Sequence, residues 1–272
     1  MRRLVRSQTA QRLKKLETEL KVASKHANAD AIHDVRVSIR RLSRALRVFR
    51  AWFDAGKVKS IRRRLRKLME GCAAVRNCDV AMEVLLAAGW QAPELVTGLE
   101  KERQHMRQKL ALKLESWRRR DRVRKWRGCL RAGHSLAKDT GEYARRLFPA
   151  MLEDLFRAGR DAARMGSSHQ RMHQFRLKTK RLRYTLELFE TVYGESTKPM
   201  MGSLKKLQEK LGAINDCATT IEMVRRDRGA AAAVRRLAAQ REAEFRSFWK
   251  KHFGTRELSR WKAVLSAADG NN

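Results

Sequence analysis

This chain of 272 residues carries the same pattern twice. The run from His33 to Phe49, HDVRVSIRRLSRALRVF, overlies the run from His173 to Phe189, HQFRLKTKRLRYTLELF, at a shift of 140. His33 falls on His173, Arg36 on Arg176, Arg41 on Arg181, Leu42 on Leu182, Leu46 on Leu186 and Phe49 on Phe189, while Arg40 meets Lys180. A second block follows in the same order at a shift of 139, with LRKLMEGCAAVRNCDVAMEV from Leu65 over LKKLQEKLGAINDCATTIEM from Leu204. Two blocks in one order read as a duplication, which restricts the fold to two like halves. The expected domains are 1–140 and 141–272, with a seam between His134 and Glu142.

The halves read as helical. Only three prolines occur, and the runs between them are rich in Ala, Leu, Arg, Lys, Glu and Gln, the better helix formers. No sustained alternation of β-branched and aromatic residues marks a strand. Breaks are expected near Asn28-Ala29-Asp30, Asp54-Ala55-Gly56, Gly89 to Pro93, Gly133, Met165 to Ser168, Gly194 to Ser196, and Gly229. Each half then holds a leading helix, a helix begun near the repeated histidine, a shorter basic helix and a long tail. The expected fold is all-α, two four-helix bundles related by a pseudo-twofold axis.

Charge is the next constraint, since 63 Lys and Arg stand against 29 Asp and Glu, a net +34. An excess of this size repels itself in the compact state and points to a polyanionic partner. On a wheel of the His33 helix, Val35, Ile39, Leu42, Leu46 and Phe49 form one apolar stripe. Roughly opposite fall His33, Arg36, Arg40, Arg44 and Arg47, about one cation per turn. In the second copy Phe175, Leu182, Leu186 and Phe189 are inside, with His173, Arg176, Lys180 and Arg183 outside. The shorter basic helix turns Ile61, Leu65, Leu68, Cys72 and Val75 inward and Lys59, Arg63 and Arg66 outward; Lys205 overlies Arg66 in the second half.

A basic face on an amphipathic helix is usually just a solvated face. Solvated faces mix signs, however, because like charges at i,i+4 destabilise. Between His33 and Arg50 there is one acid, Asp34, against six arginines. Arginine supplies about two-thirds of the cations, and its fork suits phosphate oxygens. His33 and His173 are expected in the first turns of their helices, behind the caps Asp30 and Ser168, where free backbone N–H groups also favour anions. The neighbouring cations should hold both histidine pKa values down.

The elements HDVRVSIRRL and HQFRLKTKRLRY, each followed by a leucine-rich basic helix and then by VRNCDV or INDC, resemble the conserved-histidine α-helical domain family, CHAD. The resemblance spans essentially the whole chain. It implies two four-helix bundles with pseudo-twofold symmetry, a basic surface to which both halves contribute, inorganic polyphosphate as the ligand, and association with polyphosphate granules. Carried over by position, it makes His33, Arg36, Arg40, His173, Arg176, Lys180 and Arg183 ligand contacts. The family's R-D-x-D element stands here as Arg76-Asn77-Cys78-Asp79, which leaves the role of the first carboxylate open.

Enzymatic turnover is not expected. There is no G-x-x-x-x-G-K-[ST], no H-E-x-x-H and no acidic pair within the basic blocks to hold magnesium, so neither a cofactor nor a metal is implied. His169 and His173 have metal-ligand spacing, but no third ligand lies nearby in sequence. Non-specific nucleic-acid binding stays open as an alternative, although an aromatic content of 7% offers little for stacking on bases. A granule scaffold or adaptor that recruits granule-associated proteins is the other alternative. No run approaches the roughly 18 apolar residues of a membrane span, and a cytoplasmic location is expected. Cys72, Cys78, Cys129 and Cys217 form no C-x-x-C pair and read as reduced core thiols.

Overall fold

The computed structural model describes residues 1–130 and 140–267. Among them every regular element is helical, as expected of an all-α chain. In order these are α1 (Arg2–Lys25), α2 (Ala29–Val48), α3 (Ala55–Ala87), α4 (Pro93–Arg119), α5 (Arg122–Cys129), α6 (Thr140–Ala163), α7 (His169–Leu186), α8 (Glu190–Tyr193), α9 (Lys198–Met223), α10 (Arg228–His252) and α11 (Thr255–Ser266). No described helix is long and apolar enough to cross a membrane. The break expected at Gly133, and the seam from His134 as far as the start of α6, lie outside the described residues.

The chain divides into two compact units. Unit 1 takes Met1–Glu83 and Gln91–Lys138, and unit 2 takes Val84–Trp90 and Asp139–Asn272. Unit 1 is built on α1 to α4 with the short α5; unit 2 is built on α6, α7, α9 and α10, with α8 and α11 added.

In unit 1 the apolar stripe of α2 is core, with Val35, Leu42, Leu46 and Phe49 fully buried and Ile39 nearly so. Burying such side chains is worth about 1.5–3 kcal/mol each, which is what offsets the ordering of the helix. α1 adds Val5, Leu13 and Leu16 to the same core, and Ile61, Leu65, Leu68, Cys72 and Val75 of α3 are buried as their spacing predicts. The shorter basic helix is in fact the start of a helix of 33 residues, since α3 runs on through the V-R-N-C-D-V element to Ala87. Nothing between Lys57 and Leu86 except Gly71 opposes helix, and Gly71 is used for approach: a Cβ there would stand 3.4 Å from Leu110 of α4.

In unit 2 Phe156, Phe175, Trp249, Phe253 and Trp261 form an aromatic core, for example Phe175 edge-on to Trp249 at 5.1 Å. Two glycines make room for indoles. A Cβ on Gly159 of α6 would run into the Trp249 ring, and one on Gly229 of α10 would run into Trp90. The break expected near Gly229 is present. It precedes the glycine, where Asp227 caps α10 by accepting from the Ala230 amide at 2.9 Å.

Two further expectations need correction. α2 is capped by Asn28, whose Oδ1 accepts from the Ala31 amide at 2.8 Å, so Asp30 lies inside the helix. Asn and Asp cap about equally well, and the earlier of the two takes the position. α7 is capped by Ser168 as expected, its Oγ accepting from the Arg171 amide at 3.3 Å. Both histidines thus stand five residues after their caps, beyond the first turn, and the free N–H groups of the helix start are not at their positions. The other correction is Cys129, which is exposed at the end of α5 while Cys72, Cys78 and Cys217 are buried.

Candidate functional site

In unit 1 the site is assembled where α2 meets α3, and the groups that feel one another's charge show the register between them. Arg47 acts on Arg62, Arg36 acts on Cys72, and His33 feels Arg76. The numbers rise on one helix as they fall on the other, so the two run antiparallel with their cationic edges facing across one seam. His33 and Arg76 stand at one end and Arg47 with Arg62 at the other. The guanidinium stems are partly sunk: Arg36, Arg40 and Arg44 are half-buried, whereas His33 and Arg47 reach solvent. The Nε of Arg40 is sealed from solvent without a hydrogen-bond partner among the described residues. Partial burial is the first cause that holds the His33 pKa below the ordinary histidine value, and the charges of Arg40, Arg36 and Arg76 add to it against the weaker pull of Asp34. Burial, followed by Arg47 and Arg66, likewise lowers the pKa of Arg62.

Unit 2 carries the second row on α7. Its His173 Nδ1 lies 2.9 Å from Asn215 Oδ1 of α9, and Gln208 Nε2 of α9 donates to the Thr179 carbonyl at 3.3 Å, which again sets the two helices antiparallel. Arg176 and Lys180 are half-buried along this face. The row then meets an acid, because Arg183 pairs with Glu187 at 3.2 Å and lies over the Tyr184 ring at 4.8 Å. Where unit 1 has Arg47, the same place in unit 2 is Glu187. The two rows therefore match at their histidine ends and differ at their far ends.

The family model of the CHAD domain matches residues 7–225. The chain belongs to the CHAD domain family. Among solved structures it is similar to the CHAD domain from the plant Ricinus communis, with a TM-score of 0.68 and 21% identity over 100% of this chain and 93% of that one. It is also similar to PptA from Streptomyces chartreusis, with a TM-score of 0.65 and 16% identity over 96% of this chain and 99% of that one. At these identities the likeness speaks for the fold. No curated protein matches the chain.

Within this CHAD domain the expected site residues do not all fall together. His33, Arg36, Arg40 and Arg47 gather along the α2–α3 seam, with Arg44 in the same row of α2 and Arg66 beside Arg62 on α3, and His173, Arg176 and Lys180 lie along α7. Arg183 is engaged with Glu187, an i,i+4 pair that its spacing already displays. Lys59 and Lys205 are exposed, and Arg63 lines a different groove, on the side of α3 towards α4 and α5. Arg62 and Arg76 belong to the seam but escape a wheel drawn for one helix, because only the antiparallel register brings them opposite α2. The retained Asp79 is not at the seam. It is buried and ion-paired with Arg103 of α4 at 2.6 Å. Among the described residues no group of three His, Cys, Asp or Glu is placed to hold a metal ion.

Proposed function

We propose that this CHAD domain binds inorganic polyphosphate, using the α2–α3 seam of unit 1 and the α7 row of unit 2, and thereby associates with polyphosphate granules. CHAD is a family associated with polyphosphate binding. The observation that carries the reading is the cluster at the histidine end of the α2–α3 seam. There burial and the charges of Arg40, Arg36 and Arg76 hold the His33 pKa below the ordinary value, and of these cations Arg76 also pairs with Glu83 at 2.9 Å; gathering them costs stability in the free protein. A chain of phosphates offsets that cost by neutralising several cations at once, and arginine forks match its oxygens. The reading is of binding without turnover, with the phosphoanhydride chain released intact.

The deciding experiment is a pull-down on long-chain polyphosphate with duplex DNA as competitor at equal phosphate concentration. Retention that DNA fails to displace supports the reading, and displacement at parity rejects it in favour of a general polyanion binder. Replacing Arg36, Arg40, Arg176 and Lys180 together with Gln should abolish most retention without loss of thermal stability; unfolding of that variant would return these cations to a structural role. Release of free phosphate during the incubation would overturn the absence of turnover.

A further inference from the structure

A second cationic groove lies on unit 1 away from the α2–α3 seam. Two adjoining cavities of about 370 and 390 Å³ run between α3 and the α4–α5 corner and share Arg64 and Arg122. Arg63, Lys67 and Lys113 line the first, and Lys57, Arg120 and Lys125 line the second; no acidic residue lines either. From Lys57 to Lys67 the α3 wall extends about 15 Å at the rise of an α-helix.

The acids nearby are spent elsewhere. Glu115 pairs with Arg118 at 2.7 Å and Arg119 at 3.5 Å, Asp121 pairs with Arg124, and Glu17 pairs with Arg127. None of these cations lines the groove. The groove's own cations have no carboxylate partner among the described residues, so local pairing has been given to the outer cations and withheld from the inner ones. Arg122 is held in place all the same. Its guanidinium carbon stands 5.7 Å from the centre of the Trp117 ring, and its Nε is sealed from solvent with no hydrogen-bond partner among the described residues. A guanidinium positioned in this way, without a carboxylate partner and at the junction of two cavities that no acid lines, is suited to meet an anion.

We infer that this groove is a second track for a bare phosphate chain, so that unit 1 engages polyphosphate at two places. The inference rests on the polyphosphate reading above. The groove's aromatics favour a chain without bases. Trp117 and Trp126 are each 7% exposed and pack edge to face against one another at 5.5 Å, which leaves no open ring on which a nucleobase would stack. Two tracks on one protein raise the effective concentration of a long chain at the second once the first is filled.

The test is titration of the full chain with long-chain polyphosphate at several salt concentrations, in three proteins: the native chain, a seam variant (Arg36→Gln with Arg40→Gln) and a groove variant (Arg64→Gln, Lys67→Gln and Arg122→Gln). The groove variant should lose affinity on the order of a hundredfold, and its plot of log affinity against log salt should flatten by roughly two. A milder pair, Arg64→Gln with Lys67→Gln, leaves the Arg122–Trp117 contact in place and should show the same direction if the triple variant folds poorly. Native-like binding by the groove variants beside weakened binding by the seam variant overturns the second track and leaves the polyphosphate reading standing. Failure of the native chain to bind overturns that reading itself. Loss of duplex DNA binding with polyphosphate binding unchanged would assign the groove to nucleic acid and overturn the inference.

Discussion

His173 of α7 and Asn215 of α9 meet at 2.9 Å, ring Nδ1 to carboxamide Oδ1. An amide oxygen only accepts, so Nδ1 is the donor in this contact. In the sequence overlay the counterpart of Asn215 is Arg76, whose charge bears on His33. One histidine is therefore oriented by a neutral amide and the other is pressed by a cation. Asn215→Arg should place unit 2 on the pattern of unit 1: polyphosphate affinity should rise, the salt plot should steepen by about 0.7, and the lost hydrogen bond should cost about 0.5–1.5 kcal/mol. Titrations at several salt concentrations, with urea unfolding of the free variant, check all three.

Acidity should act through His33. Its folded pKa lies below the ordinary value, so the unfolded chain takes up the proton first as pH falls. The free protein then loses stability from near the ordinary histidine pKa down to the folded one, and above that window the residue has no effect. A bound polyanion favours the charged ring. Polyphosphate affinity should accordingly rise on acidification through this window, by at most about tenfold per pH unit for one linked proton. Calorimetry in buffers of different ionisation heat should register proton uptake, and His33→Gln should reduce it.

Glu187 closes the row of α7 by pairing with Arg183. Glu187→Gln would free that guanidinium and remove a negative charge from the path of the ligand. Affinity should increase a few-fold, while the loss of this largely buried pair should cost more than the about 0.3–0.5 kcal/mol of an exposed i,i+4 pair. Titration of the variant beside thermal unfolding separates the two effects.

Gly159 and Gly229 admit Trp249 and Trp90 against their helices. Gly159→Ala and Gly229→Ala should each destabilise unit 2 by about 1–3 kcal/mol, despite the better helix propensity of alanine, because the indole must move. Chemical denaturation is the direct measurement.

The core was legible because one helix carries its own answer. Leu42, Leu46 and Phe49 recur at the period of a buried stripe whatever they pack against, and Ser168 announces a helix start unaided. What involved two elements was not legible. Arg62 belongs to the seam only through its register with Arg47, and Arg122 owes its place to the meeting of Trp117 with α5. Where two residues were equally suited, as at Asn28 and Asp30, composition alone did not choose. The full extent of α3 is hidden by V-R-N-C-D-V, which stands out as a motif although its six residues are just under two more turns of the same helix.

The exposure of Cys129 has a practical use. Burial pushes the thiols of Cys72 and Cys78 up to about 11 and raises that of Cys217 as well, leaving these three poorly ionised and shielded. Cys129 borders the groove of Lys57 and Arg122. A maleimide dye would therefore attach at one position in the native sequence, giving a reporter beside the second track without any engineered cysteine.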